Sequence, residues 1–291
     1  MSSCRNKSPQ RHREHRDFLG DLRVSVVNGS LAHAIAPCGV RMGYDQTMRR
    51  TLLTCLFLVA APLAADSLSD LRTQLQRYPA KAPFIVTATV QVNGDSQGVA
   101  GARSGSTNFE VEEGPAGLMI RVPPAALGAA ESEAEEKKRD PENRTPTRTA
   151  MVALTIFDII DGLDSAAMLL NDLDQATLVS QAPSTHAGKS ATLMRIKVKA
   201  TLAGTSRFVK EPKIELRVWT DMDGFPVAAE RDSNYSASFV IVSAVNIRKE
   251  RWEFAVSGDR LYAAHSDEEN RASAVGKSIV SSRSVTYVPK G

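Results

Sequence analysis

Apolar positions along this chain follow two periods. Between Ser67 and Tyr78, Leu68, Leu71, Leu75 and Tyr78 recur at helical spacing while Arg72, Gln74, Gln76 and Arg77 fall elsewhere. That spacing predicts an amphipathic helix, stopped by Pro79 and Pro83. Phe84 to Val92 is β-branched and its second half alternates, so a strand is predicted, ending in the Asn93-Gly94-Asp95 turn. Val99–Gly105, Asn108–Glu112 and Leu118–Val122 read as further strands, punctuated by Gly114-Pro115, Gly117 and Pro123-Pro124. From Leu154 to Leu173 the helical period returns. Leu154, Phe157, Ile160, Leu163 and Ala167 make one stripe, broadened by Ile156, Ile159 and Leu170. Gly162 interrupts it and Asp164-Ser165 can cap a new start, so two short helices are predicted.

The remainder reads as a meander. Thr192–Thr201 and Lys213–Thr220 alternate, Asp223-Gly224 turns into Pro226–Glu230, and Ala237–Ile247 reads as one strand, straight or bent. Trp252–Val256 alternates, Gly258-Asp259 turns into Leu261–Ala263, and Ser284–Val288 closes the series. Period-2 patterning with short turns means antiparallel pairing with one face packed. The predicted class is α+β: an antiparallel sheet joined by an N-terminal helix and a central helical pair. Composition breaks this pattern once. At 129–149, Glu131, Glu133, Glu135 and Glu136 run into Lys137, Lys138, Arg139 and Asp140, then Pro141 and Pro146; a solvated, flexible charged insert is expected.

A leader precedes the periodic region. Met48 is followed by Arg49 and Arg50, then by an apolar run from Leu52, then by Pro62 and the small residues of Leu63-Ala64-Ala65. That is the order of a secretory signal peptide over 48–65. The run from Leu52 to Ala65 is about 14 residues, short of the roughly 20 a spanning helix needs. A periplasmic protein starting near Asp66 is the expectation, crossing a membrane only during export. Residues 1–47 are then an over-extended, disordered N-terminus, and 66–291 a single β-rich domain. Cys4, Cys38 and Cys55 all lie before the expected cleavage point, which leaves no thiol chemistry downstream. Nine of the 36 Lys and Arg and four of the 33 Asp and Glu also precede residue 66, so the remainder carries a net charge of about −2 rather than +3. The basic balance therefore belongs to the discarded end and argues against a nucleic-acid partner.

Motifs for chemistry are sparse. Gly188-Lys189-Ser190 and Gly276-Lys277-Ser278 lack the earlier glycine of a phosphate loop, having Pro183 and Arg271 there. Asp221-Met222-Asp223-Gly224 begins like a calcium loop but leads into a strand, so a hairpin is expected. His186 and His265 have no zinc spacing, and no Gly-x-Ser-x-Gly elbow is present. The pairs Asp158/Asp161 and Glu110/Glu112 are expected on solvent faces. No cofactor or metal is expected, and the chain reads as a non-enzyme.

The order of elements resembles the lipoprotein-carrier family of the bacterial periplasm, the LolA/LolB-like half-barrels. The similarity rests on the Leu68/Leu71/Leu75 helix, the Val218-Trp219-Thr220-Asp221-Met222-Asp223-Gly224-Phe225-Pro226 strand and turn, and the Gly258-Asp259-Arg260-Leu261 turn. It covers the topology of most of 66–291 and includes no diagnostic motif; the insert at 129–149 departs from it. The resemblance implies an open, curved sheet closed by helices, with acyl chains in an apolar cleft. Lipid or an acylated protein would be the partner. Residues that would line such a cleft are Phe84, Val86, Leu118, Ile120, Phe157, Ile160, Leu169, Ile196, Val198, Leu216, Val218 and Trp252, each of which reads first as plain core. The alternative is an envelope interaction or sensor domain with a filled core and no ligand.

Overall fold

The computed structural model describes residues 61–96, 104–199, 212–239, 242–275 and 277–290. The expected leader up to residue 60, the whole of 1–47 and the weak strand at 99–103 lie outside them. Ten strands form one antiparallel sheet: β1 (Phe84–Ser96), β2 (Gly105–Gly114), β3 (Gly117–Arg121), β4 (Ala176–His186), β5 (Lys189–Val198), β6 (Lys213–Thr220), β7 (Pro226–Phe239), β8 (Val242–Ser257), β9 (Arg260–Ala274) and β10 (Lys277–Pro289). Their order is β3-β2-β1-β10-β9-β8-β7-β6-β5-β4. The sheet is curved but not closed, because β3 and β4 are opposite edges. Consecutive in the chain, those two edges must be joined across a face of the sheet. The helices α2 (Pro124–Arg139), α3 (Pro146–Ala153), α4 (Ile156–Leu163) and α5 (Ser165–Leu173) make that crossing. The α+β class expected from the periodicity, and the open, curved sheet implied by the resemblance, are what the chain forms. No helix among the described residues is long and apolar enough to cross a membrane.

Two apolar clusters hold the helices down. Helix α1 (Ala61–Leu75) buries Leu68, Leu71 and Leu75 with Ala166, Leu169 and Leu173 of α5 against Ile196, Leu216, Val218 and Trp252. The second cluster sets Ala150 of α3 and Ile159 and Leu163 of α4 against Phe84, Val86, Ala88 and Val90 of β1, with Tyr287 of β10. Each fully buried Leu or Val in these sets is worth about 1.5–3 kcal/mol. Arg260 ties the second cluster to the segment between α1 and β1. It is 2% exposed and lies 5.2 Å from the centroid of the Phe84 ring. It donates to the carbonyls of Ala80 (2.9 Å), Ala82 (3.2 Å) and Leu163 (3.3 Å) and pairs with Glu113.

The central helical segment splits where Gly162 and Asp164 predict. Helix α4 opens on a capping box: Thr155 Oγ1 accepts from Asp158 N at 3.2 Å, and Asp158 Oδ2 accepts from Thr155 N at 2.8 Å. The Asp164 side chain caps α5 by accepting from Ala167 N at 3.0 Å. Gly162 also has a packing reason, since a Cβ there would lie 2.6 Å from the Tyr287 ring.

Three expectations are corrected. The insert at 129–149 is solvated but is not a flexible loop: α2 covers Pro124–Arg139 without a buried residue, and α3 starts at Pro146. Proline at the first turn, a run rich in Ala, Glu and Lys, and basic Lys137, Lys138 and Arg139 in the last turn all favour helix. Glu133 of α2 then caps α3 by accepting from Thr147 N (2.9 Å) and Arg148 N (3.2 Å). Ala237–Ile247 is not one strand but the end of β7 and the start of β8, paired Ala237 to Ala244. The Asp158/Asp161 pair does not face solvent; it faces the sheet.

Candidate functional site

Register defines successive cross-strand rows on the helix-covered inner face. The deepest is largely apolar: Val218, Ala229, Trp252, Ser266, Val285 and Val90 are opposed in turn from β6 to β1. One step along, the row becomes Leu216, Arg231, Glu250, Glu268, Arg283 and Val92. The next is Ile214, Ser233, Arg248, Asn270, Ser281 and Gly94. The last, at the strand tips, is Tyr235, Asn246, Ala272 and Ile279. The inner face thus passes from core to charge to amide and back to apolar rim.

Helices α4 and α5 lower three carboxylates onto the charged row. Arg283 grips Asp158 with both terminal nitrogens (2.6 and 2.7 Å), donates to Ala153 O at 2.6 Å and pairs with Glu268. Arg231 pairs with Asp172 (3.1 Å) and Glu250 (2.8 Å) and stacks 5.1 Å from the Trp252 centroid. Arg248 lies 3.0 Å from Glu250, 2.8 Å from Glu268 and 3.5 Å from Asp158. Burial pushes the Asp158 carboxyl up, but hydrogen bonds from Arg283 and Thr155 outweigh it and hold the group below its ordinary range. Burial pushes Asp172 up despite Arg231. It pushes Asp161 up to about 6, opposed by the Arg231 charge and reinforced by Glu250, Asp158 and Asp172. The Asp161 backbone carbonyl accepts from Ser165 Oγ at 3.0 Å, but its carboxylate makes no hydrogen bond or ion pair among the described residues.

Above this floor, between α3, the start of α4 and the ends of β1, β9 and β10, lies a cavity of about 620 Å³. Val92, Val152, Ala153, Phe157, Ile279 and Val280 supply apolar walls; Asp161, Arg231, Arg248, Glu268, Asn270 and Arg283 line the polar side. Phe157 is 72% exposed. A smaller void of about 20 Å³ shares Asp158, Asp161, Glu268 and Arg283 with the cavity and adds Glu250, Trp252 and Ser266. The side-chain oxygens of Asn270 and Asn246 are buried without a hydrogen-bond partner.

Of the twelve residues singled out as cleft lining, Phe84, Val86, Leu169, Ile196, Val198, Leu216, Val218 and Trp252 are buried, and Leu118 packs half-buried beside them. Ile120, Phe157 and Ile160 are exposed, and only Phe157 of the twelve lines the larger cavity. Helices α1 and α5 pack their apolar faces over β5–β8, leaving a polar cavity of about 400 Å³ between Asp172, Ile214, Arg231 and Glu250; the larger space is under α3 and α4. The charged row itself escapes sequence reading. Asn246, Arg248 and Glu250 are in phase with the buried Trp252, which is the usable signal; on β9 the unpaired Ala264 shifts the register opposite Glu253/Phe254, so Glu268 is out of phase with the buried Leu261 and Ala263.

Other candidates resolve into structure. His265 sits on the opposite face of β9 between Thr286 Oγ1 (3.1 Å) and Asp267 Oδ2 (3.2 Å), and His186 rests 5.6 Å from the Trp219 ring. Gly188-Lys189-Ser190 is the β4–β5 hairpin. Asp221 Oδ1 accepts from Asp223 N (3.0 Å) and Phe225 N (2.9 Å) to form the β6–β7 hairpin, as expected. No group of side chains among the described residues is arranged to hold a metal ion.

No known family and no curated protein matches this chain. Among solved structures, it is similar to a DUF1329 family protein from Desulfovibrio piger, at 12% identity and a TM-score of 0.31 over 77% of this chain and 91% of that one. A likeness this distant bears on no functional question.

Proposed function

We propose that this chain is an exported cell-envelope protein that binds lipid or an acylated protein, holding the apolar part in the cavity beneath α3 and α4. One observation carries the reading. Between α3, α4 and the strand tips about 620 Å³ stays open with Phe157, Val152 and Ile279 as walls. That volume falls within the roughly 300–1,000 Å³ of ordinary ligand sites. Phe157 is 72% exposed beside the exposed Ile156 and Ile160 of the same helix, and an acyl chain would cover it. Each methylene so buried would contribute about 0.8 kcal/mol. Export is supported by the Met48–Ala65 leader pattern.

Native mass spectrometry of the full chain recovered from an envelope fraction tests this. A mass increment that disappears on organic extraction, and uptake of dodecyl maltoside reduced several-fold by Phe157→Ser, are expected. An unadorned polypeptide that takes up no single-chain amphiphile would sink the proposal. Recovery in the cytosol with residues 48–65 intact would sink the export half alone.

A further inference from the structure

The strand ends beside the cavity mouth lack the polar residues that hairpin tips usually carry. At the opposite end of the sheet, the β6–β7 and β8–β9 turns are built from Asp221-Met222-Asp223-Gly224 and Gly258-Asp259, whose Asp221 and Asp259 carboxylates accept backbone N–H bonds. At this end, Tyr235–Phe239 of β7 and Val242–Ile247 of β8 contain no charged residue. Ala272–Val275 and Lys277–Val280 contain one, Lys277. Val275, at the apex of the β9–β10 hairpin, is 76% exposed and holds φ at 52°. That left-handed conformation suits glycine or asparagine and is strained for a β-branched residue.

This apolar edge is continuous with the cavity. Ile279 lines both the cavity and a depression of about 440 Å³ walled by Ala237, Ala244, Ala272 and Ala274. Across the mouth, Val152 of α3 and Phe157 of α4 line the cavity and are exposed, as Ile279 and Val280 are on β10. Two cations flank these residues. Arg148 lies one turn before Val152 on α3, and Lys277 is opposed to Ala274. Both are exposed, and neither side chain makes an ion pair among the described residues. Asp95, opposite Val280, and Glu269, which pairs with Arg271, lie farther from the apex. Apolar groups that project from separate elements, with unpaired cations beside them, are complementary to the acyl layer and anionic head groups of a bilayer.

We infer that this end of the sheet docks on an anionic lipid bilayer, with Val275 entering the acyl boundary and Lys277 and Arg148 meeting head-group phosphates, so that the cavity mouth opens onto the lipid. The inference deepens the amphiphile reading above and rests on it for what passes through the mouth. Each cation beside such a surface contributes about fivefold in affinity, and burial of one valine side chain about tenfold.

Co-sedimentation of the chain recovered from an envelope fraction tests it, with vesicles of phosphatidylcholine alone and of phosphatidylcholine containing a quarter phosphatidylglycerol. Binding to the mixed vesicles is expected, weakened about tenfold by Val275→Asn and about fivefold by Lys277→Ala, the second effect being absent on phosphatidylcholine alone. Asparagine tolerates the positive φ, so Val275→Asn should melt no lower than wild type and its lost binding is not misfolding. Neither position lines the cavity, so uptake of dodecyl maltoside should be unchanged in both variants. Val275→Asn that binds as tightly as wild type overturns the inference. So does self-association that Val275→Asn removes while no vesicle is bound, which would make the occupant a second copy of this chain. Detergent uptake without vesicle binding overturns the docking and leaves the amphiphile reading standing. Vesicle binding that depends on Val275, without detergent uptake, upholds the docking and sinks the amphiphile reading.

Discussion

Replacing Asp161 by Asn should stabilise the protein at pH 8 and do little near pH 3.5. Wild-type Asp161 is partly buried, faces Glu250, Asp158 and Asp172, and has its carboxyl pushed from 3.8 up to about 6. A folded-state value above the unfolded one means the folded protein binds the extra proton between those limits. Stability from this group therefore falls as pH rises from about 4 to about 6, and the loss is complete above that window. A rise from 3.8 to about 6 corresponds to a ceiling of about 3 kcal/mol. Access to the cavity screens the charge, so about 1–2 kcal/mol is the expected gain at pH 8. Urea unfolding followed by tryptophan fluorescence at both pH values reads it directly, because contributions shared by the two proteins cancel in the difference. A destabilised variant at pH 8, or the same gain at pH 3.5, would refute the reasoning. A carboxylate kept at such a cost is the kind of local inconsistency expected at a functional site.

Three further outcomes follow from the packing. Gly162→Ala should destabilise by about 1–3 kcal/mol, although alanine is the better helix former, because its methyl meets the Tyr287 ring; an increase in melting temperature would contradict this. Arg260→Met should cost about 3–5 kcal/mol by leaving Glu113 and the carbonyls of Ala80, Ala82 and Leu163 without their donor, measured as a shift in urea midpoint at unchanged slope. Asp158→Asn should cost about 2–4 kcal/mol at pH 7, when Arg283 loses its bidentate partner. Because the Asp158 carboxyl is depressed in the fold, wild type keeps this contribution above its unfolded value of 3.8 and loses it as pH falls through the folded one, so the gap between the two proteins should close towards pH 2.

What the residue pattern reveals is what a single element decides for itself. The Leu68/Leu71/Leu75 stripe, the Asp223-Gly224 hairpin and the break at Gly162–Asp164 are local features, and each stands where the periodicity places it. Strand β4 is exposed over most of its length, so it has no buried face to impress alternation on its sequence. Strand β9 carries Ser266–Asn270 with polar groups on both faces; Glu268 can point inward only because Arg248 and Arg283 meet it there from neighbouring strands. The candidate site is made of such inward charges. Its residues come from α4, α5 and four strands, and a polar side chain in a strand looks the same in sequence whether its partner is water or a helix laid across the sheet.

Hydrogen–deuterium exchange of the full chain, with and without saturating dodecyl maltoside, locates the occupant without relying on any substitution. Slowed exchange confined to Pro146–Leu163 and the Lys277–Arg283 end of β10 is the predicted result. No change in exchange, or protection confined to β4–β6 on the far side of the sheet, would contradict the placement of an amphiphile beneath α3 and α4.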